Sequence, residues 1–551
     1  MSNNSRTLLA VALSLLTLVL WQNYFFESES LAYHKDKTSI DQVDSEVENT
    51  SLDVLNTKIT INNFNAGRVI FNNSMISGSI NLLGARIDNL VLHEYRQEVQ
   101  KDSHKIALLS PSGTKEVYYT EFGWLSSNKD IELPSHQSVW TTDKKTLNPN
   151  DKITLSWKNH NNIEFIIMIS LDNYCMFTID QKVIGLSAGI VKPYAAISRG
   201  VQSNSKSEML IHEGGIGVFD NKLKEIKFDD LDNKKHHFIK SNNAWFGFSD
   251  KYWLTAIIPQ KSLISTKFLG YKVKEEKRYQ IDGIIDHNNH YTDYSRFLFF
   301  AGAKKLKLLD HYKQKHDIHL FDRAVDLGIL YFITKPIFLA LNFFHSLVKN
   351  FGIAIILLTI SIKILLFPLA YKGFKGMNKL KEIQPKIHML SKLSGGDKGK
   401  LQKSIIELYK KEKVNPMSGC LPVILQMPIF FALYKVLYVT LEMRHATFCL
   451  WIDDLSAIDP TNIFTLFGLV PWNTPSFLHV GILPMVMALT LYGQQMLNPQ
   501  PADPTQAKVM KLLPLIFLFM FASFPSGLVL YWSCSNIFSI IQQLLIKRMT
   551  R

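Results

Sequence analysis

The chain has 551 residues, of which 47% are hydrophobic, and a formal net charge of +14. Its four cysteines form no CxxC pair and no metal-ligand spacing, which argues against a disulfide scaffold and a zinc site. Long apolar runs are concentrated after residue 320, whereas residues 27–320 are patterned like a soluble domain. These features indicate a membrane protein with one large water-exposed domain, and no metal or cofactor is expected.

Residues 1–26 are predicted to form a transmembrane signal anchor. The apolar run Leu8–Leu20 is followed by aromatic side chains, beginning with Trp21, that are typical of the membrane interface. No small-residue cleavage site follows the run, which favours a retained anchor over a removed signal peptide. Arg6 predicts a cytoplasmic N-terminus by the positive-inside rule. Residues 27–56, rich in Ser, Glu, Asp and Lys, are predicted to form a polar linker.

Short runs between residues 57 and 320 alternate between apolar and polar residues. Examples are KITIN, which begins at Lys58, and YCMFTID, which begins at Tyr174. Clusters of Asn, Asp and Gly separate the runs, and this pattern is typical of an antiparallel β-sandwich. We therefore predict a β-sandwich domain over 57–320, with a mixed α+β domain as the alternative.

Charge bias predicts the topology of the remaining chain. Residues 372–413 contain twelve Lys and four acidic residues, whereas residues 442–479 contain one Arg and four acidic residues. The positive-inside rule assigns the first segment to the cytoplasm and the second to the outside of the membrane. With the β-domain outside, one span precedes the basic segment, and Phe351–Leu369 has the required length and apolar character. Residues 321–349 are therefore expected to form an amphipathic helix on the outer surface.

The later segments alternate across the membrane. Residues 510–546 are too long for one span of about 20 residues, and the FPSG sequence beginning at Phe524 divides them. The predicted fold is a polytopic α-helical membrane protein of six spans, an N-terminal anchor plus a five-helix core, with a periplasmic β-sandwich domain and a cytoplasmic helical hairpin. The predicted segments are transmembrane helices 2 to 6 at 350–371, 417–441, 478–496, 510–525 and 526–546, the hairpin at 372–416, a periplasmic loop at 442–477, a cytoplasmic loop at 497–509 and a cytoplasmic tail at 547–551.

Lys363 is the leading functional candidate, because a charge inside an apolar span costs about 2.5–3.5 kcal/mol. Thr359 lies one turn before it, and Gln426 is another polar residue in a predicted span. Polar residues in spans are commonly ordinary interhelical contacts. Lys363 differs because the interiors of predicted spans 2 to 6 contain no Asp or Glu to neutralise it. We infer a water-filled cavity that reaches the cytoplasm.

The basic segment 372–416 is predicted to form a helical hairpin. Apolar residues recur at spacings of three and four on both sides of a turn at Gly395, and Pro385 is expected to kink the first arm. Its lysines either form a solvated face or dock anionic lipid headgroups or the ribosome, without reading a specific nucleic acid sequence. The candidate docking residues are Lys379, Lys381, Lys386, Lys392, Lys398 and Lys400.

Several motifs occur in order in the second half of the chain. They are NP at Asn415, LQMPIF at Leu425, LWIDDLS at Leu450 and FPSGLVLYW at Phe524. Together they resemble the YidC/Oxa/Alb family of membrane protein insertases, in its Gram-negative form with a periplasmic domain.

The resemblance implies a multi-pass protein of the bacterial inner membrane, with both termini cytoplasmic, that is not an enzyme. It implies a membrane protein insertase and chaperone that inserts and helps to fold nascent membrane proteins, alone or with the Sec translocon (SecYEG and SecDF). The ribosome and anionic lipids are further implied partners.

The resemblance also implies roles for particular residues. In that family an Arg in the second span draws the polar part of a substrate into a hydrophilic groove open to the cytoplasm, and the apolar part slides out past the third and fifth spans. Lys363 stands at the position of this Arg, with the charge but without the planar guanidinium that can hold a carboxylate by two hydrogen bonds. The implied groove residues are Lys363, Thr359, Gln426, Tyr531 and Trp532. The implied sliding residues are Pro428, Phe430, Leu513 and Phe517.

Two other functions fit the sequence less well. A secondary transporter with Lys363 as an intramembrane anion site would be expected to show paired repeats and interrupted helices, which the sequence lacks. An intramembrane protease would need a Ser–Lys pair, but Ser361 is two positions from Lys363 and lies on nearly the opposite helix face. The sequence therefore favours an insertase.

Overall fold

The computed structural model describes residues 67–549 with short gaps. The gaps are residues 101, 129, 187–190, 202–211, 233–236, 261, 274–275, 287–293, 329, 394–397, 413–420, 471–474, 476–478 and 499–503. The predicted anchor (1–26) and linker (27–56) lie outside the described residues. The contacts discussed below belong to residues 63–499 and 512–551, which form one compact unit.

Residues 68–303 form two large sheets, one of ten strands and one of nine. The strands are β1 (Arg68–Asn72), β2 (Ile76–Asn81), β3 (Arg86–Arg96), β4 (Lys105–Leu109), β5 (Tyr118–Ser126), β6 (Thr141–Thr142), β7 (Thr146–Leu147), β8 (Lys152–Lys158), β9 (Glu164–Leu171), β10 (Met176–Ile184), β11 (Val191–Gly200), β12 (Gly214–Phe219), β13 (Lys222–Lys227), β14 (His237–Ser241), β15 (Ala244–Ser249), β16 (Trp253–Pro259), β17 (Ile264–Val273), β18 (Glu276–Ile285) and β19 (Tyr294–Ala303).

The order of the first sheet is β14-β17-β18-β11-β5-β3-β2-β1-β7, with β4 paired to β3, and that of the second is β13-β12-β15-β16-β19-β10-β9-β8-β6. The pairing of β1 with β7 is parallel, whereas the long strands pair antiparallel, as in the register of Phe177 with Phe299 between β10 and β19.

The two sheets pack face to face around an aromatic core. Phe122 of the first sheet lies 6.1 Å from Phe297 of the second, measured between ring centroids. The hydroxyl groups of Tyr118 and Thr255 form a buried hydrogen bond of 2.6 Å between the sheets. Strand β9 alternates buried and half-buried residues, which is the period-two pattern of a strand with one face in the core. The predicted antiparallel β-sandwich is confirmed.

Helices occupy most of the chain after the sandwich. They are α1 (Phe228–Asp232, within the sandwich), α2 (Leu306–His316), α3 (Tyr331–Val348), α4 (Phe351–Leu365), α5 (Phe367–Leu393), α6 (Lys398–Lys411), α7 (Leu421–Val439), α8 (Ile482–Leu497), α9 (Pro504–Phe521) and α10 (Ser526–Met549). Short 3-10 helices cover Phe321–Ala324, Leu441–Met443 and Ile463–Gly468. The last strand ends at Ala303, and α2 packs Leu306, Leu309 and Tyr312 into the core of the sandwich, so the domain boundary at residue 320 stays a prediction.

Among the described residues, two helices are long and apolar enough to cross a membrane, α3 and α10, and the bent pair α4–α5 is a third if it counts as one span. Shorter apolar helices cover Gln426–Val439 and Ile482–Leu497. The predicted count of six spans stays a prediction. Helix α3 buries Ile337 and Leu341 on one face and exposes Phe332 and Phe343 on the other, so its predicted position in the membrane interface also stays a prediction.

Helix α4 is shorter than the predicted span 350–371. It begins after Asn350, whose side chain accepts a hydrogen bond from the amide of Ile353 at 3.0 Å, and it ends at Leu365. Helix α5 then starts at an angle of 67°. The cause is Pro368, which has no N–H to continue the α4 hydrogen-bond ladder.

Helices α5 and α6 pack against each other where the hairpin was predicted. Ile383 and Ile387 of α5 are buried against apolar side chains of α6, including Ile405. Lys386 and Glu412 form a salt bridge of 2.6 Å between the two arms. The first arm begins directly after the break at the end of α4, and the cytoplasmic hairpin over 372–416 stays a prediction.

Candidate functional site

The ammonium of Lys363 lies between three apolar helices. Lys363 is in the last turn of α4, and its Nζ donates to Ser539 Oγ of α10 at 2.8 Å and to Gln426 Oε1 of α7 at 3.4 Å. Both acceptors are neutral. In the described part of the chain, this cation is therefore held by dipoles and not by a carboxylate.

Gln426 connects Lys363 to Tyr531. Its side-chain oxygen accepts from Lys363, and its Nε2 donates to the hydroxyl of Tyr531, which is buried in α10. The side-chain amide of Gln426 points its oxygen towards the ammonium, because a cation needs an acceptor. The structure thus brings together three predicted groove residues from three separate helices.

The hydroxyl groups nearest to Lys363 in sequence are directed to their own helix. Thr359 is 1% exposed, and its Oγ1 donates to the carbonyl of Ile355 at 2.7 Å. Ser361 is exposed, and its Oγ donates to the carbonyl of Leu357 at 2.9 Å. Both follow the common bonding of Ser and Thr to the carbonyl four residues earlier in a helix. Thr359 is therefore a packed residue near the cation, bonded within α4.

Two residues of α10 complete the site and were missed by the sequence analysis. Ser539 accepts from Lys363, and its own hydroxyl donates to the carbonyl of Ser535 at 2.8 Å. Gln542 Nε2 donates to the backbone carbonyl of Lys363 at 3.0 Å. Tyr531, Ser535, Ser539 and Gln542 are spaced by four, four and three residues, so they share one face of α10. This spacing was the signal in the sequence from which Ser539 and Gln542 could have been found.

An aromatic cluster lies where α7, α9 and α10 meet. The ring centroids of Phe430 and Trp532 are 4.7 Å apart, those of Phe521 and Trp532 are 4.9 Å apart, and those of Phe517 and Trp532 are 6.1 Å apart. Trp532 of α10 therefore joins the predicted sliding residues of α7 and α9. Pro428 and Leu513 are half-buried on α7 and α9. The adjoining apolar residues of α9 are exposed: Leu512, Leu515, Ile516 and Phe519.

A second lysine in an apolar helix provides a contrast with Lys363. Lys435 of α7 forms a salt bridge of 2.7 Å with Asp326, from the segment before α3. Burial acts to raise the pKa of the Asp326 carboxyl, but the charge and hydrogen bond of Lys435 outweigh it and hold that pKa below its ordinary value. Lys435 is thus neutralised in the way expected of a structural ion pair, whereas Lys363 has neutral partners.

The first turn of α10 is covered by the loop before α8. The amide of Ser526 donates to the carbonyl of Ala457 at 2.8 Å, and the amide of Gly527 donates to the carbonyl of Leu455 at 2.9 Å. These bonds satisfy N–H groups that have no partner within the helix. Ser539 lies thirteen residues after Ser526, about 20 Å along the axis. The loop therefore closes the end of the helix bundle that is remote from Lys363.

The predicted docking lysines lie along the two hairpin helices. Lys379, Lys381, Lys386 and Lys400 are exposed, and Lys392 and Lys398 belong to α5 and α6. Lys381 also donates to the carbonyl of Leu497 at 3.4 Å. At the base of the hairpin, Phe374 and Met377 of α5 pack against Ile546 of α10. The hairpin is thus joined to the helix that carries Ser539 and Gln542.

Metal binding finds no support in the described residues, where no group of three or more His, Cys, Asp or Glu side chains is arranged to hold an ion.

Two family models match consecutive parts of the chain. The family model described as YidC periplasmic domain matches residues 68–340, and the model described as 60Kd inner membrane protein matches residues 343–551. A membrane protein insertase YidC of Rickettsia bellii is 42% identical over 567 residues, covering 100% of both chains. Another from Rickettsia akari is 45% identical over 490 residues, covering 87% of each chain. A crystal structure of an active YidC insertase with its first transmembrane domain resolved matches 86% of this chain and 91% of its own, at 16% identity and a TM-score of 0.35. The family models and the identity over the full length show that the chain belongs to the YidC family of membrane protein insertases.

Proposed function

We propose that this insertase moves the polar segment of a nascent membrane protein through a hydrophilic groove in which Lys363 supplies the positive charge. The observation that carries the proposal is the ammonium of Lys363, held between apolar helices by the neutral acceptors Ser539 and Gln426. An ammonium has three donors. Two are directed at these acceptors, and a carboxylate of the substrate would accept from the third. Family membership supports the site's use in insertion, in an inner membrane protein whose β-sandwich is periplasmic.

The groove lowers the barrier to transfer in two ways. An acidic residue of a substrate tail meets a cost of about 2.5–3.5 kcal/mol at membrane depth, and an ammonium near its path offsets part of that cost. Helix α4 has 15 residues, or about 22 Å, which is shorter than a hydrocarbon core of about 30 Å. A short span thins the bilayer locally. Both effects favour the passage of a short polar tail.

The apolar segment of the substrate would leave past the aromatic cluster of Phe430, Phe517 and Trp532. The exposed apolar side chains of α9 next to this cluster support a sliding surface between groove and lipid. Release into lipid is then favourable by about 25 cal/mol for each Å² of apolar surface removed from water. Insertion by this route changes no covalent bond.

The proposed topology has six spans, with both termini and the hairpin in the cytoplasm. The charge bias between residues 372–413 and 442–479 supports it. The position of Lys363 fits this topology, because its partner Ser539 is ten residues from the Met549 end of α10, about 15 Å. The groove would then open to the cytoplasm, and the loop over the Ser526 end would close it to the periplasm.

The proposed partners are nascent membrane proteins, the ribosome, anionic lipids and the Sec translocon (SecYEG and SecDF). The exposed lysines of the hairpin support contact with ribosomal RNA or acidic headgroups, since clustered positive charge attracts both. Association with Sec rests on family resemblance.

The test is insertion into proteoliposomes of a small membrane protein with an acidic translocated tail. We expect Lys363→Arg to insert it at close to the wild-type rate, because the charge is kept. Lys363→Ala is expected to lower the rate about tenfold, and Lys363→Glu further, from the loss and reversal of the Coulomb interaction. Lys349→Ala, at the exposed end of α3, is the control for removal of a lysine. Equal rates for the Ala, Glu and Arg variants of Lys363 would refute the groove mechanism.

A further inference from the structure

The end of α4 is the place where the backbone of Lys363 meets α10. Pro368 has no N–H, so it cannot donate to the carbonyl of Ile364 in the usual helical pattern. The amide of Leu366 still donates to Ile362 at 3.0 Å, and the chain then turns into α5. Carbonyl groups at a helix end need partners from elsewhere, and the need is strongest within a membrane, where water is scarce.

Gln542 supplies one such partner. Its Nε2 donates to the carbonyl of Lys363 at 3.0 Å, while Ser539, three residues earlier on the same face of α10, accepts from the ammonium of Lys363 at 2.8 Å. One face of α10 therefore fixes both the backbone and the charged end of the same residue. Ser539 and Gln542 act on opposite ends of a flexible four-carbon side chain.

We propose that Gln542 is a positioning residue for the groove cation: its amide fixes the end of α4 so that the ammonium of Lys363 reaches Ser539 and the groove. A lysine side chain readily moves its charge towards water when its backbone is free to shift. Without the amide, the last turn of α4 gains freedom at the break, and the ammonium spends less time in the groove. The inference rests on the proposed role of Lys363 and extends it to a residue that need not touch substrate.

The neighbouring residue offers a matched control. Gln543 has the same side chain on the same helix, but its Nε2 donates to Asn498 Oδ1 at 2.9 Å, at the end of α8. Successive helix residues differ by about 100° in direction. Replacing Gln543 therefore removes an equivalent interhelical hydrogen bond on another side of α10 and leaves the end of α4 intact.

The experiment measures selectivity for substrate charge. Two substrates are compared in proteoliposomes, identical except that the translocated tail carries Asp and Glu in one and Asn and Gln in the other. The measured quantity is the ratio of their insertion rates. Gln542→Met keeps the length of the side chain and removes the donor, and it is expected to lower the ratio about three- to tenfold, the effect of one net hydrogen bond. Gln543→Met is expected to leave the ratio at the wild-type value.

The outcomes separate this inference from the proposed function. If Lys363→Ala leaves the ratio unchanged, the groove mechanism itself fails. If Lys363→Ala lowers the ratio and Gln542→Met does not, the positioning role alone is overturned. An equal loss of insertion for both substrates would assign Gln542 a structural role and would also overturn it. In the Lys363→Ala background, Gln542→Met is expected to produce no further change in the ratio. If the Gln542→Met protein does not accumulate, Gln542→Ser replaces it in the experiment. The Ser side chain is too short to reach the carbonyl of Lys363, so the same fall in the ratio of insertion rates is expected.

Discussion

Replacing Asp459 with Ala is expected to destabilise the helix bundle at the end remote from Lys363. The side chain of Asp459 is 2% exposed, and its two oxygens accept four hydrogen bonds. Oδ1 accepts from Trp451 Nε1 at 3.1 Å and from the amide and hydroxyl of Thr461 at 3.0 and 2.6 Å. Oδ2 accepts from the amide of Leu483, in the first turn of α8, at 2.8 Å. One carboxylate thus ties the loop to the start of a helix.

The magnitude follows from these contacts. Loss of a side-chain cap at a helix N-terminus costs about 1 kcal/mol, and a hydrogen bond to a charged group contributes about 1.5–3 kcal/mol. The four bonds share one acceptor group, so their energies do not add fully. We expect Asp459→Ala to lower the free energy of unfolding by about 3–5 kcal/mol, which is comparable to the loss of a large core side chain.

Chemical unfolding of the detergent-solubilised protein would measure this effect, with tryptophan fluorescence as the signal because Trp451 is one of the donors. Asp453→Ala is the matched control, since Asp453 is an exposed carboxylate in the same loop. We expect the control to change the free energy of unfolding by less than about 0.5 kcal/mol. If Asp459→Ala and Asp453→Ala prove equally stable, Asp459 does not hold the loop to α8.

Two further predictions concern stability. Burial acts to raise the pKa of Asp322, but hydrogen bonds from Tyr331 and two lysines hold it at about 2. The unfolded carboxyl titrates near its ordinary pKa of about 4, so about 2 kcal/mol of stability is present above pH 4 and is lost as the pH falls towards 2. Unfolding measured as a function of pH should show this acid loss, and Asp322→Asn should remove it. Gly481→Ala would bring a methyl group to 2.5 Å from Asp459 Cγ. Denaturant unfolding is expected to show a free energy of unfolding that is lower by about 1–3 kcal/mol. A variant as stable as wild type would contradict the close packing.

Lys363 and Gln426 could be singled out from the sequence because polar residues are few in apolar helices, whereas Tyr531 was named only through the resemblance to the insertase family. Lys363, Gln426 and Tyr531 each gain by meeting another polar group away from lipid, and the structure brings them together. Thr359 could not be placed in the same way. Its hydroxyl has an acceptor within its own helix, and helical periodicity does not reveal which partner such a group takes.

The end of α4 and the strand order show two different limits. The signal for the break was present in Pro368, but the apolar run continues to Leu369 and hydropathy alone extends the span. In the sandwich, alternation predicts strands but not neighbours. Strand β11 lies between β5 and β18. These pairings join residues that are far apart in sequence, and they depend on the packing of the whole domain.

The early end of α4 also has an electrostatic consequence for Lys363. The carbonyl end of a helix carries about half a negative elementary charge, and a cation in its last turn gains about 0.3–1 kcal/mol, up to about 2 kcal/mol where it is partly buried. Had α4 continued to residue 371, that negative end would lie about 9 Å further away. The bend thus places a partial negative charge, made of backbone dipoles, close to the ammonium. A fixed carboxylate in the same place would compete with the acidic substrate tail of the proposed function, whereas a helix end leaves the charge of Lys363 available to that tail.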